Sequence, residues 1–178
     1  MSDLTKTVFR FILFVFIQVY VFNTMPRLHE LITPYYYFIF ILWLPFSFSR
    51  SLVLFLSFLI GITVDYFNMS QGLFAAAATM IGFIRPFIIN LFAPKDATGY
   101  SSYKEPSFQS MGISAFSIYV LVLSFIHNFY VLFLEWLSFG SFILFLMKVV
   151  STTMISFLLI CITELIYPRK QSYKTNKV

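Results

Sequence analysis

The stretch GITVDYFNMSQGLFAAAATMIGFIRPF, residues 61–87, sets two apolar runs on either side of the short polar turn NMSQG. Followed outward, the runs extend to about 52–67 and 73–92, close to the roughly 20 residues that cross a bilayer core as an α-helix. The stretch therefore reads as a transmembrane hairpin. Two charges, Asp65 and Arg85, lie inside it and bracket a patch of glycine and alanine. Ionisable side chains at membrane depth are costly, so each needs a partner or a purpose.

The remainder of the chain is of the same kind. Of 178 residues 60% are hydrophobic, only 11% are charged and 25 are phenylalanine, too apolar a mixture to cover a soluble domain with polar surface. Six apolar stretches stand out, at about 8–23, 35–46, 52–67, 73–92, 112–136 and 142–167. They predict a single all-α domain, a bundle of six transmembrane helices, or five if the second stretch does not cross. Pro34 and Pro45 fence that stretch to little more than ten residues, so a short or tilted helix is expected there. Period-2 alternation is absent, which excludes a β-barrel reading. The first run follows Lys6 and Arg10 like a signal peptide, but FNTMPR after it offers no small-x-small cleavage site, so a retained helix is expected.

Orientation follows from the basic residues. With six spans and both termini cytoplasmic, the inner side holds Lys6, Arg10, Arg50, Lys95, Lys104, Arg169, Lys170, Lys174 and Lys177, and the outer side only Arg27. The net charge of +5 then reflects topology, not nucleic-acid binding. The basic tail PRKQSYKTNKV (168–178) suits a topology anchor, or contact with anionic membrane lipid or a cytoplasmic partner. The polar loop at 94–110 reads as a connector or a docking segment. Tyr35, Tyr36, Tyr37, Trp43 and Trp136 read as interfacial belts.

Catalytic and cofactor signatures are missing. There is no G-x-S-x-G, H-E-x-x-H, paired intramembrane aspartates or Walker loop, and His127 and Glu135 lie eight apart without a third ligand. No enzyme activity, cofactor or metal is expected. Cys161, the only cysteine, reads as packing.

Counting rise from the outer turns places Asp65 and Arg85 roughly 15 Å apart along the helix axes, too far to pair. Arg85, next to Pro86, is expected to snorkel to lipid phosphate where the proline bends or ends its helix. Asp65, Glu135 and Lys148 fall at one outer level and are expected to form a buried charge group. Ala75, Ala78, Thr79, Gly82 and Pro86 recur at helical spacing, Gly61 lies four residues before Asp65 on the same face, and such faces suit close packing within the chain or docking of a partner helix. Lys148, Thr152 and Ser156 make a polar stripe on the last span, as glue or as a substrate path.

The motif order P-x-x-Y-x-x-F-I-L-x-L-P (34–45), Arg50, G-I-T-V-D (61–65), G-L-F-A-A-A-A (72–78) and R-P-F (85–87) resembles the bacterial rod shape-determining MreD family over nearly the whole length. The resemblance implies a non-catalytic inner-membrane scaffold of cell elongation. It would organise peptidoglycan synthesis with an MreC-like bitopic protein, a RodA-like glycosyltransferase, a penicillin-binding transpeptidase and MreB filaments at the cytoplasmic face. Under it Gly61, Asp65, Gly72, Ala75, Ala78, Gly82, Arg85 and Pro86 become packing or partner-docking candidates. The competing expectation is a small-molecule importer component, similar to the six-helix substrate-binding subunits of energy-coupling-factor importers, with Asp65, Glu135 and Lys148 as its outer pocket.

Overall fold

The structure, a computed structural model, describes residues 3–24, 32–92, 104–137 and 141–168. Arg27, Lys95, most of the 94–110 loop and the tail beyond 168 lie outside them. The protein is an all-α, multi-pass membrane bundle. Helix α1 (Asp3–Phe16) continues as a π-helical turn, Ile17–Phe22. There follow α2 (Ile39–Leu42), α3 (Arg50–Asn68), α4 (Leu73–Phe92), α5 (Phe108–Met111), α6 (Ile113–Trp136) and α7 (Phe142–Ile166). Five of these segments are long and apolar enough to cross a membrane, the first as Leu4–Phe22. Their outward faces stay apolar and exposed, as at Ile143 (70%) and Leu165 (69%), a surface stable only against lipid.

The two ends of the bundle are identified by contacts between distant segments. At one end Arg10 meets Glu105 at 2.8 Å, and the Phe46 N–H donates to the Lys104 carbonyl at 2.9 Å. Lys6 there shares a cavity with Tyr167 and Pro168. At the other end Asn23 donates to Asn68, and Trp136 packs on Phe142. Each long helix runs between these ends.

The α3–α4 hairpin is the most closely packed pair of helices. A Cβ placed on Gly61 would lie 2.5 Å from the Ala75 Cα and 2.7 Å from the Phe74 carbonyl oxygen, so only hydrogen fits. Near the other end of the hairpin, a Cβ on Gly82 would lie 2.8 Å from the Ser57 Cβ. Ala75 and Ala78 are buried in the same seam. In a membrane protein, small residues let two backbones gain dispersion contacts that bulky side chains would prevent. The connecting turn places Gly72 at φ +86°, where a side chain is strained. Pro86 does not end α4, which runs on to Phe92; its missing N–H costs a single ladder bond, from the Gly82 carbonyl.

The second apolar stretch differs from expectation. In place of a helix over 35–46 the chain forms a four-residue turn, α2, flanked on both sides by irregular backbone. This segment is nevertheless the centre of the molecule: every residue from Tyr35 to Leu44 is 7% exposed or less. Ten residues between two prolines are too few for a regular span. Non-helical backbone at membrane depth persists only when protein satisfies its hydrogen bonds. The expected interfacial belt at Tyr35, Tyr36, Tyr37 and Trp43 is thereby corrected, since all four side chains belong to the core.

Candidate functional site

Several polar side chains converge on the buried segment, and Gln18, Thr152, Ser156, Tyr119 and Arg85 each take up a backbone group of it that a helix would have satisfied internally. Gln18, 2% exposed, stands at the π-helical turn of the first span. Its Oε1 accepts the N–H of Tyr36 at 2.7 Å and of Tyr37 at 3.1 Å, while Nε2 donates to the Pro34 carbonyl at 3.4 Å and to Asn23 Oδ1 at 3.1 Å. One amide thus does the work of an N-cap for two consecutive N–H groups. From α7, Ser156 Oγ donates to the Tyr35 carbonyl at 3.0 Å, and Thr152 Oγ1 lies 3.5 Å from the Thr33 N–H that points to it. The stripe expected on the last span is therefore glue for the segment at Thr152 and Ser156.

The other end of the segment exposes carbonyls. Tyr119 Oη donates to the Leu42 carbonyl at 3.0 Å. Arg85 donates through Nη2 to the Leu44 carbonyl and through Nε to Tyr119 Oη at 3.2 Å. A guanidinium at the carbonyl end of a helical turn meets its partial negative charge as well as its open acceptors. Arg85 is 3% exposed. The expectation that it snorkels to lipid phosphate is overturned: its fork of donors points inward because the interrupted backbone beside it has acceptors to offer.

Between these clamps lies a polar and aromatic hub. His127, fully buried, has Nδ1 3.0 Å from Asn128 Oδ1 and Nε2 2.7 Å from Tyr37 Oη. Tyr37 Oη also donates to the Phe74 carbonyl at 3.2 Å, so the hydroxyl stands between the imidazole and the start of α4. Phe38 stacks on the imidazole at 4.4 Å, and Tyr35 and Tyr37 present their edges to it. Asn128 Nδ2 reaches Thr153 Oγ1 at 3.4 Å. Among the described residues no group of three or more His, Cys, Asp or Glu is placed to hold a metal.

The charge group expected at Asp65, Glu135 and Lys148 does not assemble. Asp65, 2% exposed, accepts the N–H of Phe74 at 3.1 Å and of Ala75 at 2.7 Å, and the Ser70 hydroxyl at 2.5 Å. It caps the N-terminus of α4 from the end of α3, where the helix dipole favours a carboxylate. Lys148 Nζ and Glu135 Oε2 pair at 3.1 Å without Asp65, half-exposed, and the Tyr35 hydroxyl donates to the other Glu135 oxygen at 3.4 Å. Gly61, Ala75, Ala78 and Gly82 are consumed inside the α3–α4 seam and offer no face to a partner helix. Gly72 serves the turn, and Pro86 lines a small cavity of about 180 Å³ with Arg50, Arg85 and Asn90.

Gln18, Tyr119, Ser156 and the Tyr37–His127–Asn128 hub carry the arrangement. In the sequence, Gln18, His127 and Asn128 are signalled only as lone polar residues within apolar runs. What the constellation does chemically is hold backbone. Comparison of the chain with protein-family profiles, characterised proteins and solved structures gives no match.

Proposed function

We propose that this chain is a non-catalytic membrane scaffold of the kind its motif order resembles, an MreD-like component of the bacterial cell-elongation machinery. It would lie in the inner membrane with both termini cytoplasmic. There it would organise peptidoglycan synthesis beside an MreC-like bitopic protein, a RodA-like glycosyltransferase and a penicillin-binding transpeptidase, with MreB filaments at the cytoplasmic face. The reading rests on motif order and on one structural observation: the buried polar groups Gln18, Asp65, Arg85 and Tyr119 spend their hydrogen bonds on the chain's own backbone. That use of polarity builds a rigid hub in lipid and leaves little to bind or turn over a substrate. The importer alternative drew on Asp65, Glu135 and Lys148 as a ligand pocket. With Asp65 committed to α4, that pocket would keep only the half-exposed Glu135–Lys148 pair.

Depletion in the host cell, followed by imaging of cell shape and of nascent wall, tests the proposal. Rounded cells with dispersed wall insertion are expected. Cells that keep their shape and their insertion pattern would overturn it, and a defined metabolite that raised the unfolding temperature of the purified protein would return the importer reading to first place.

A further inference from the structure

A cavity of about 770 Å³ opens laterally between α1 and α7, a volume within the roughly 300–1,000 Å³ typical of ligand sites. The two helices stand apart along it, because α7 packs chiefly on α6 and α1 on the buried segment and α3. Its walls are Phe9, Leu13, Phe14, Ile17 and Trp43, and its charges, Lys6 and Arg10, belong to the first two turns of α1. From Lys6 to Ile17 is eleven residues of helix, about 16 Å. That is close to half of a roughly 30 Å hydrocarbon core, the depth of one leaflet.

Polarity is graded along this length. Arg10 is shared between Glu105 at 2.8 Å and the Trp43 ring, 5.5 Å from its centroid, whereas Lys6 is exposed and has no ion pair among the described residues. The mouth therefore keeps a net positive charge while the interior is mostly hydrocarbon: Tyr36 donates to Thr163 Oγ1 at 2.8 Å, Thr163 donates in turn to the Leu159 carbonyl at 2.6 Å, and Tyr167 adds a phenol to the lining. From this complementarity we infer that the α1–α7 groove is a binding site for an anionic phospholipid, its headgroup at Lys6 and Arg10 and an acyl chain against Leu13, Phe14 and Trp43. A partner helix suits the groove less well. Helices associate in lipid over small residues that admit close backbone approach, and the groove is lined by bulky aromatic and aliphatic side chains with no glycine or alanine.

Trp43 reports directly on the site. The chain has two tryptophans, and Trp136→Phe leaves Trp43 alone. Full-length protein is reconstituted in phosphatidylcholine vesicles with increasing fractions of brominated phosphatidylglycerol or brominated phosphatidylcholine, and quenching of Trp43 is recorded. The anionic lipid is expected to quench with about fivefold higher apparent affinity, the effect of one surface lysine. Lys6→Gln should abolish that preference. Arg50→Gln, at the same end of the bundle but outside the groove, should keep it. Equal quenching by the two lipids overturns the inference, as does equal loss of preference in both variants, which would indicate a general surface potential. Failure of either lipid to quench Trp43 overturns it as well, because a protein segment would then fill the groove.

Discussion

The α3–α4 hairpin and the buried segment around α2 meet one requirement in opposite ways. Both run through lipid, where every backbone N–H and C=O must be satisfied. The hairpin satisfies them inside its own helices and therefore uses small residues: at Gly61 the neighbouring backbone comes so close that a methyl group has no room. The segment satisfies only part of them locally: the N–H groups from Ile39 to Leu44 find acceptors within it, whereas those of Tyr36 and Tyr37 and the carbonyls of Tyr35, Leu42 and Leu44 do not. It needs large side chains to fill space and polar ones, from α1, α4, α6 and α7, to replace the missing ladder. Close approach is thus cheap for regular backbone, and irregular backbone obliges the rest of the fold to be polar at chosen points.

The contrast is broken most severely at Gln18. Gln18→Leu leaves the Tyr36 and Tyr37 N–H groups and the Pro34 carbonyl without their partner, at about 1–3 kcal/mol for each orphan. Loss of cooperative thermal unfolding in detergent is expected. A cysteine at Phe38, in a Cys161→Ser background, should become reactive to maleimide in that variant and stay silent in the parent, since Phe38 is fully buried. Gly61→Val attacks the other region. The added methyl groups force the hairpin apart at about 1–3 kcal/mol, and the unfolding temperature falls while the cysteine at 38 stays protected. If Gly61→Val exposed position 38 as fully as Gln18→Leu, the two regions would not be separate devices. The smallest effect belongs to Lys148→Met. It removes a half-exposed pair whose worth is about 0–1 kcal/mol, so a shift in unfolding temperature rivalling that of Gly61→Val would mean that the pair does more than the geometry assigns to it.

Residues 73–92 are legible as a helix because their information is local. A continuous apolar run can satisfy its own backbone, and α4 covers that interval from Leu73 to Phe92. The stretch 35–46 has the same hydropathy and another structure, because its partners lie 18, 41, 77 and 121 residues away. Hydropathy sums composition and carries no record of where hydrogen-bond partners come from. Asp65 shows a second limit. Counting rise gives its level in the membrane but not the direction in which it points, and its partners are N–H groups 9 and 10 residues on, across the turn. Arg85 was legible as a buried charge needing a purpose. Its purpose, the Leu44 carbonyl, was not, because irregular backbone beside it is itself a tertiary outcome.

The wide separation of those partners also dictates an order of assembly. Residues 33–46 leave the ribosome long before Arg85, Tyr119 and Ser156 exist, so at first only Gln18 is available to take their hydrogen bonds. With the carbonyls of Tyr35, Leu42 and Leu44 still without their later partners, this apolar but interrupted segment is poorly suited to enter lipid on its own. Its last hydrogen-bond partner arrives only with α7. Release of the finished bundle into the bilayer is therefore tied to synthesis of the last helix, and a chain truncated before Ser156 should stay associated with the translocon and be degraded there.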